Sequence, residues 1–400
     1  MNIKIVMVYC FLMAGAVSST AQEYKSISID EAIEIALIVD PSILLADLKI
    51  AQKEKFSQTG TLHQPTQISF SGEEFNFGGV SGIQSLNIQQ SFNLPKVSTA
   101  SKEYFLAQME TASNQKVLSK KELIKNVELA YYTLVIAKRE AEISKDIEIV
   151  YRNSYDRSSL EFQGGESKKS PMLSTYPLLK KAEINLDHAN HEVEVSREIF
   201  NLWIGKQNEY DVTDGEKIQL KSEINNSSII NPHLDVYDYE KEEIIKSIEI
   251  QKSNLLPQLN AAARLQSLNG DLLYFGYQLG ISIPIDRRAY KRKIEASKMS
   301  IELVDIEKNI KEKEIERRTL RLRNHLSHLR SKIQFYDSEL IPSITEQVSF
   351  TKDAYQLGEG SYLEYLMSLE KFNEMRLEKL QLIKDFYFSS IELKYWTEVN

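Results

Sequence analysis

The chain has a single cysteine and no excess of positive charge. Cys10 lies inside an apolar stretch near the N-terminus, so removal of a leader would leave a mature chain without a thiol. That absence excludes disulfides, thiolate zinc sites and cysteine catalysis in the mature protein. The formal net charge of -8 gives a nucleic-acid partner no electrostatic support. No nucleic-acid partner is therefore expected.

The N-terminus has the composition of a secretory signal peptide. One lysine precedes an apolar run over residues 5–17, and the small residues Ser19 and Ala21 are placed for cleavage before Gln22. An uncleaved anchor is the alternative, but the run is shorter than the roughly 20 residues that a spanning helix needs. The residues before Cys10 do not resemble a lipoprotein signal. We therefore predict a cleaved peptide, 1–21, and no lipid anchor.

Long apolar runs are missing from the rest of the chain. After Ala21 no stretch approaches the roughly 18 apolar residues of a transmembrane helix. If the mature protein spans a membrane, strands must do so.

The mature chain contains an internal sequence repeat, with an offset of about 190 residues between its two halves. The matching features are Asp40-Pro41 with Asn231-Pro232, Pro65 with Pro257, Pro95 with Pro284, and FQGGE at 162–166 with YQLGE at 355–359. This pattern predicts a first structural repeat over 22–206, a polar connector over 207–230 and a second repeat over 231–400.

Each repeat has the order short helix, two strands, very long helix, glycine turn, long helix. Ser28 and Glu31 form a capping-box pattern at the start of the first short helix. The first repeat is predicted to contain a β-hairpin over 66–94 and helices over 98–160 and 170–206. The second is predicted to contain a hairpin over 257–285 and helices over 286–356 and 361–396.

The long helices carry heptad seams, which predict antiparallel coiled-coil hairpins. The seam positions are Leu123, Val127, Ala130, Leu134, Ala137 and Ala141 in the first repeat, and Leu322, Leu326, Leu329, Ile333, Tyr336 and Leu340 in the second. Glycines at 164–165 and at 358–360 supply the turns at which each long helix folds back on its partner.

The strand LNIQQSFNLPK, residues 86–96, alternates apolar and polar side chains, as does the strand before Pro284. The apolar set is Leu86, Ile88, Phe92, Tyr277, Leu279, Ile281 and Ile283; the polar set is Ser85, Asn87, Gln89, Ser91, Gln278 and Ser282. Two hairpins packed face to face as a soluble sandwich would fit this pattern. Membrane strands with lipid outside and a water-filled lumen inside would fit it as well. Four strands cannot close a barrel alone, so the membrane alternative requires several chains.

The order of these elements resembles the TolC-like outer-membrane efflux channels. The residues that carry the likeness are SIDEAIEIALIVDPS at 28–42, LLPQL at 255–259, the strand-ending Pro95 and Pro284, and YQLGEGSYLEYL at 355–366. The resemblance implies a mostly helical α+β membrane protein. Its coiled-coil hairpins would form an α-barrel tunnel, and four strands per chain would contribute to a trimeric 12-stranded outer-membrane β-barrel. Pro95 and Pro284 would mark the strand-to-helix junctions.

The resemblance also implies a function and partners. The chain would be a homotrimeric, passive channel subunit of a tripartite efflux system, in the outer membrane of a Gram-negative-type bacterium and extending into the periplasm. Its partners would be outer-membrane lipid, a periplasmic adaptor (membrane fusion) protein and an inner-membrane resistance-nodulation-division pump or ABC exporter. One-step (type I) protein secretion is the runner-up. A soluble periplasmic coiled-coil adaptor is the alternative from another class.

The resemblance places a periplasmic gate and an adaptor-docking surface at the glycine turns. One acidic gate position falls on Glu364, and a second falls on Met367, where this chain has no acid; Glu359 and Asp353 are the other gate candidates. Glu364 also fits a capping box with Ser361, a purely structural role. The expected docking residues are Gly164, Gly165, Glu166, Ser167, Gly358, Glu359, Gly360 and Ser361.

No pattern in the sequence indicates an enzyme. His188 with His191 and His325 with His328 are spaced three apart on predicted helices, but no cysteine accompanies them and exposed helix faces explain them. The sequence has no nucleophile elbow, phosphate loop or zinc-protease motif. We therefore expect no catalytic residues, no bound metal and no cofactor.

Overall fold

The computed structural model describes residues 24–59, 64–73, 82–206, 209–213, 231–268, 270 and 273–397. The predicted signal peptide and most of the polar connector lie outside these ranges. The helices are α1 (Ile29–Val39), α2 (Pro41–Gln58), α3 (Pro95–Gln163), α4 (Lys169–Trp203), α5 (Pro232–Ser253), α6 (Arg288–Phe335), α7 (Ile341–Gln356) and α8 (Tyr362–Thr397). The strands are β1 (Lys25–Ile27), β2 (Gln67–Glu73), β3 (Ile83–Phe92), β4 (Tyr210–Val212), β5 (Gln258–Leu268) and β6 (Leu273–Ser282). None of the helices in the described ranges is both long and apolar enough to cross a membrane.

The repeated sequence signals start helices in the same way in both halves. Asp40 Oδ1 accepts a hydrogen bond from Ser42 N at 2.7 Å, and Asn231 Oδ1 accepts one from His233 N at 3.0 Å. A proline follows each cap, where the first helical residue needs no donor. The predicted capping box at Ser28 is confirmed, because its hydroxyl and the Glu31 carboxylate cap each other's backbone N–H groups.

The two long helices begin at different distances from their prolines. α3 begins at Pro95 itself rather than at Ser98, because proline fits the first helical position. α6 begins at Arg288 rather than at residue 286. Its start is delayed because Asp286 Oδ1 accepts a hydrogen bond from Arg288 N at 3.0 Å, which turns the chain before the helix begins.

The helices form a wall with four rows, in which α3 is an inner row. α2 and α4 pack against one side of α3, and α5 and α8 pack against the other. α6 packs on both α5 and α8, and α7 continues along α8. The helical wall therefore has two free edges within the described structure, one formed by α2 and α4 and the other by α6 and α7.

The seam predicted on α3 is buried. Leu123, Val127 and Leu134 are at most 3% exposed and pack with Phe200 of α4 and Ile204 after it. Side chains of α1, β1 and β4 complete this cluster at the middle of the wall. The mostly helical α+β architecture inferred from the sequence is confirmed.

The seam predicted on the second long helix is correct only as far as Ile333. Its last two positions, Tyr336 and Leu340, lie in a π-helical segment (Tyr336–Leu340) and are only partly buried. The cause is Pro342, which lacks an N–H and crowds the carbonyl four residues earlier. The predicted single helix over 286–356 is therefore divided into α6 and α7.

The two hairpins join side by side in one antiparallel sheet of order β2-β3-β5-β6. β3 pairs with β5 from Ile83, opposite Leu268, to Phe92, opposite Leu259. This pairing rules out the face-to-face sandwich. Within the described strands, β2 and β6 each have a partner on one side only.

A second, small sheet was not predicted. β1 pairs in parallel with β4, which lies inside the segment that the sequence pattern assigned to a polar connector. Asn201 of α4 holds β4 in place, since its amide donates to Arg197 O at 2.8 Å and Tyr210 O at 2.9 Å. The same side chain accepts from the backbone N–H groups of Glu209 and Tyr210.

Candidate functional site

One face of the four-stranded sheet is apolar and exposed. Register places Phe70, Leu86, Leu265 and Phe275 in one cross-strand row. Ile68, Ile88 and Tyr277 lie in a second row, two residues away along each strand and therefore on the same face. The predicted residues Phe92, Leu279 and Ile281 lie on the same face, and Ile283 follows the end of β6. Tyr277 and Leu279 are 80% and 77% exposed. An apolar surface of this extent marks an interaction site.

The opposite face is polar. It carries all six predicted polar residues, since Ser85, Asn87, Gln89 and Ser91 alternate with the apolar set on β3, and Gln278 and Ser282 do so on β6. Asn260 joins two of them, because it accepts from Ser91 Oγ at 2.7 Å and donates to Ser282 Oγ at 2.7 Å. The sheet therefore has one apolar face and one polar face.

Sequence reasoning missed a charged residue on the polar face. Arg264 pairs with Asn87 on one side and Gly276 on the other, near the middle of the strands. It is the only cation on the described strands of this four-stranded sheet, and Glu73, at the far end of β2, is their only anion. The alternation of Arg264, Leu265 and Gln266 could have placed Arg264 on this face.

The two glycine turns at the opposite end of the molecule have the same backbone structure. After α3, Gly165 has φ of 75°, Gly165 N donates to Phe162 O and Glu166 N donates to Glu161 O. After α7, Gly358 has φ of 77°, and the equivalent bonds run to Tyr355 O and Ala354 O. Both are Schellman motifs, which require a glycine in the left-handed region. The predicted docking residues lie in and beside these two turns.

Tyrosines connect the two helical hairpins near the turns. Tyr355 OH donates to Glu161 Oε2 at 3.5 Å, and Glu161 also accepts from Arg157 Nε at 2.8 Å. The Arg157 guanidinium lies 5.5 Å from the centre of the Tyr355 ring. Tyr362 OH and Thr175 Oγ1 are 3.0 Å apart. We call Arg157, Glu161, Thr175, Tyr355 and Tyr362 the tip cluster.

Burial affects the tyrosines around this cluster. Desolvation, followed by the nearby Glu161 charge, raises the pKa of Tyr355. Desolvation also raises the pKa of Tyr151, which precedes Arg157 on α3, to about 12. These phenols are therefore neutral hydrogen-bonding groups at physiological pH.

The gate candidates lie around the second turn. The Glu364 carboxylate accepts from Ser361 N at 3.1 Å, and Ser361 Oγ accepts from Leu363 N at 3.2 Å, so the predicted cap is confirmed. Asp353, Glu359 and Glu364 are all exposed. Met367, at the position where the resemblance leads one to expect an acid, is 62% exposed.

The described residues thus form a helical wall joined to a four-stranded sheet with one exposed apolar face. No family model and no curated protein matches the sequence. Solved structures do match. CusC, described as forming a transmembrane channel, is 16% identical, covers 96% of both chains and gives a TM-score of 0.76.

Two further channels have the same fold. The CmeC outer membrane channel of Campylobacter jejuni is 13% identical over 99% of this chain and 93% of its own, with a TM-score of 0.73. The MtrE outer membrane channel of Neisseria gonorrhoeae, in its open state, is 13% identical over 92% and 88%, with a TM-score of 0.74. The resemblance inferred from the sequence is thereby confirmed at the level of the fold.

Proposed function

We propose that this chain is the outer-membrane channel subunit of a tripartite efflux system. Three copies form a passive duct that carries substrates from an inner-membrane pump and a periplasmic adaptor across the outer membrane. The signal peptide directs export and is cleaved after Ala21, and no lipid anchor is attached. The fold shared with outer-membrane channels supports this proposal. The observation that carries it is the four-stranded sheet with one apolar face, one polar face and two incomplete edges.

The sheet is suited to a barrel wall between lipid and water. Its apolar face, which includes Leu86, Ile88, Phe92, Tyr277, Leu279, Ile281 and Ile283, contacts lipid. Its polar face lines the lumen with Ser85, Asn87, Gln89, Ser91, Gln278 and Ser282. Because lipid cannot hydrogen-bond to backbone groups, the free edges of β2 and β6 must pair with neighbouring copies. Three copies supply the 12 strands expected for this fold.

The helical wall supports the same assembly. Its α2 edge exposes Leu44, Leu45 and Leu48, and its α6 edge exposes Leu303, Ile306 and Ile310. Each of these six side chains is more than half exposed in the single chain. Closing three walls into a tunnel brings the α6 and α7 edge of one copy against the α2 and α4 edge of the next and covers both.

The turns form the periplasmic end of the tunnel. The residues Gly164 to Ser167 and Gly358 to Ser361 contact the adaptor, and Glu364, Glu359 and Asp353 surround the entrance. The contacts of the tip cluster support a gate, because they tie α7 and α8 to α3 and α4 and must rearrange if the second hairpin moves.

Replacement of Glu364 tests the gate. Glu364→Gln keeps the acceptor that caps Ser361 but removes three negative charges from the trimer, so cation selectivity should fall. The measurement is the reversal potential of the reconstituted pore in a salt gradient. Glu346→Gln, on α7 and away from the turn, is the matched control. An unchanged reversal potential and conductance in Glu364→Gln would remove Glu364 from the gate.

The partners follow from this location. The channel receives substrate from an adaptor together with a resistance-nodulation-division pump or an ABC exporter. Type I protein secretion uses the same architecture and is the second candidate. A soluble adaptor is disfavoured by the exposed apolar face of the sheet.

Membrane fractionation and conductance test the proposal. The expected result is recovery in the outer-membrane fraction, amine cross-linking that stops at three chains, and single-channel conductance in planar bilayers. A matched preparation with Leu279→Asp and Ile281→Asp, which places charges on the lipid face, should fail to insert. Recovery of the unmodified chain in the soluble periplasm without detergent would contradict the proposal.

A further inference from the structure

A dense group of basic side chains lies where β6 leads into α6. Five of the seven residues over 287–293 are arginine or lysine, in a chain whose net charge is -8. All five are exposed. We call Arg287, Arg288, Lys291, Arg292 and Lys293 the junction cluster. Such a concentration of like charge repels itself unless an anion compensates it.

The protein itself supplies little compensation. Asp286 forms a 3.7 Å ion pair with Arg288, and both side chains are highly exposed. Among the described residues, no carboxylate lies within ion-pair distance of Lys291, Arg292 or Lys293. The cluster also occupies the first turns of α6, where the helix dipole disfavours positive charge.

The internal repeat shows that the fold does not require these charges. Pro95 corresponds to Pro284, so residues 98–104 correspond to the junction cluster. That stretch of α3 contains one cation, Lys102, which is followed directly by the acid Glu103. The same strand-to-helix junction therefore forms without a basic cluster, and the cluster has a separate cause.

Apolar side chains flank the cluster on the side of the sheet. Ile283 and Ile285 are 54% and 94% exposed, and Tyr290 is 36% exposed. Ile281, two residues before Ile283, belongs to the apolar sheet face. Apolar residues, and then basic residues with a tyrosine among them, follow one another after the end of β6. This is the order of a segment that passes from hydrocarbon to lipid headgroups.

We infer that the junction cluster binds the phosphate headgroups of anionic phospholipids in the periplasmic leaflet of the outer membrane. This inference rests on the proposed function, which places the sheet in the membrane and the helices in the periplasm. The cluster fixes the depth of the barrel by holding the start of α6 at the membrane surface. The depth of the barrel in the membrane therefore depends on the fraction of anionic lipid in the bilayer.

A neighbouring copy is a poorer occupant of this surface. In the proposed tunnel, the last turns of α2 of the next copy lie beside the start of α6. Those turns carry Lys53 and Lys55 against Glu54 alone, and Lys49 precedes them. A surface of this composition repels the junction cluster, whereas an anionic bilayer attracts it.

Local lipid quenching tests the inference with the full chain. Tyr290→Trp places a reporter indole in the cluster. The two native tryptophans are Trp203, the last residue of α4, and Trp396, which contacts Arg318 about 40 Å further along α6. The unmodified chain measures their contribution to the quenching. The protein is reconstituted into bilayers that contain brominated phosphatidylglycerol or brominated phosphatidylcholine at equal mole fraction. The expected result is stronger quenching by phosphatidylglycerol, and a preference that shrinks when salt is raised, since salt shortens the Debye length.

Two triple variants in the reporter background separate position from charge. Arg288→Gln, Lys291→Gln and Arg292→Gln should reduce the preference by roughly 100-fold in affinity, because each cation near an anionic surface contributes roughly a five-fold change. The matched control is the combination Arg317→Gln, Arg321→Gln and Arg323→Gln, which removes three exposed cations from the middle of α6 and should leave the preference unchanged.

The outcomes are distinct. Equal quenching by the two lipids in a conducting channel would overturn the inference and favour an acidic protein partner. Absence of quenching by either lipid in a conducting channel would also overturn it, because the cluster would then lie outside the bilayer. Absence of both quenching and conductance would contradict the proposed function itself.

Discussion

Gly205 stabilises the helical wall because it allows the end of α1 to approach the end of α4 closely. It ends α4 in a Schellman motif, with φ of 67° and hydrogen bonds from Gly205 N to Leu202 O and from Lys206 N to Asn201 O. A Cβ atom at this position would lie 2.4 Å from Cγ1 of Val39, the last residue of α1. Gly205→Ala therefore adds backbone strain and a steric clash together.

The two effects have separate magnitudes. An alanine in the left-handed region costs roughly 1–2 kcal/mol. Relief of the clash requires Val39 to leave its helical rotamer or α1 to shift, at about 1–3 kcal/mol. Gly205→Ala should therefore reduce the free energy of unfolding by about 2–5 kcal/mol.

Two other variants separate these contributions. Gly165 has φ of 75° and open space around its Cβ direction, so Gly165→Ala should cost only the backbone term of about 1–2 kcal/mol. Adding Val39→Ala to Gly205→Ala should recover most of the steric term. The assay is urea unfolding of the detergent-solubilised protein followed by far-UV circular dichroism. Equal destabilisation by Gly205→Ala and Gly165→Ala would refute the close approach of α1 and α4.

Two further predictions concern charge. Arg264→Gln should shift the reversal potential of the reconstituted channel toward cation selectivity, because the trimer loses three positive charges from the lumen. The control is Gln266→Ala, on the same face of β5. An unchanged reversal potential in Arg264→Gln would mean that Arg264 does not face the ion path. His233 is buried, and desolvation lowers its pKa to about 4, so the folded state disfavours the protonated ring. Its contribution to stability is complete above about pH 6.5 and is lost as the pH falls toward 4, by on the order of 3 kcal/mol. His233→Gln should flatten the dependence of the unfolding free energy on pH over that range, and an unflattened profile would exclude His233 as its source.

Periodicity predicted those parts of the fold in which one face of an element is buried along its whole length. The alternation around Leu86 and Asn87 assigned side chains to the correct faces of β3, because a strand has a period of two. The seam through Val127 and Leu134 was correct for the corresponding reason on a helix. Capping pairs such as Ser28 with Glu31 could be predicted from the sequence because the two residues are only three positions apart.

The remaining features depend on contacts between distant segments. β1 and β4 have three residues each, too few to show a period, and Asn201 positions β4 through hydrogen bonds that no sequence pattern displays. Pro342 is visible in the sequence, but the sequence does not show how the helix responds to the missing backbone N–H. The response is the π-helical segment, which displaces the last two seam positions. The pairing of β3 with β5 joins two hairpins far apart in the chain, and turn chemistry specifies only the pairing within each hairpin.

The incomplete sheet has a genetic consequence. In the proposed trimer, each copy lends four strands to one shared wall, and β2 and β6 find their second partners only on other copies. A copy with a damaged strand edge therefore disables the two intact copies with which it assembles. If half of the chains in a cell carried such a lesion, roughly one trimer in eight would be free of it. Mutations at these edges should accordingly behave as dominant-negative alleles, whereas mutations that prevent export should be recessive.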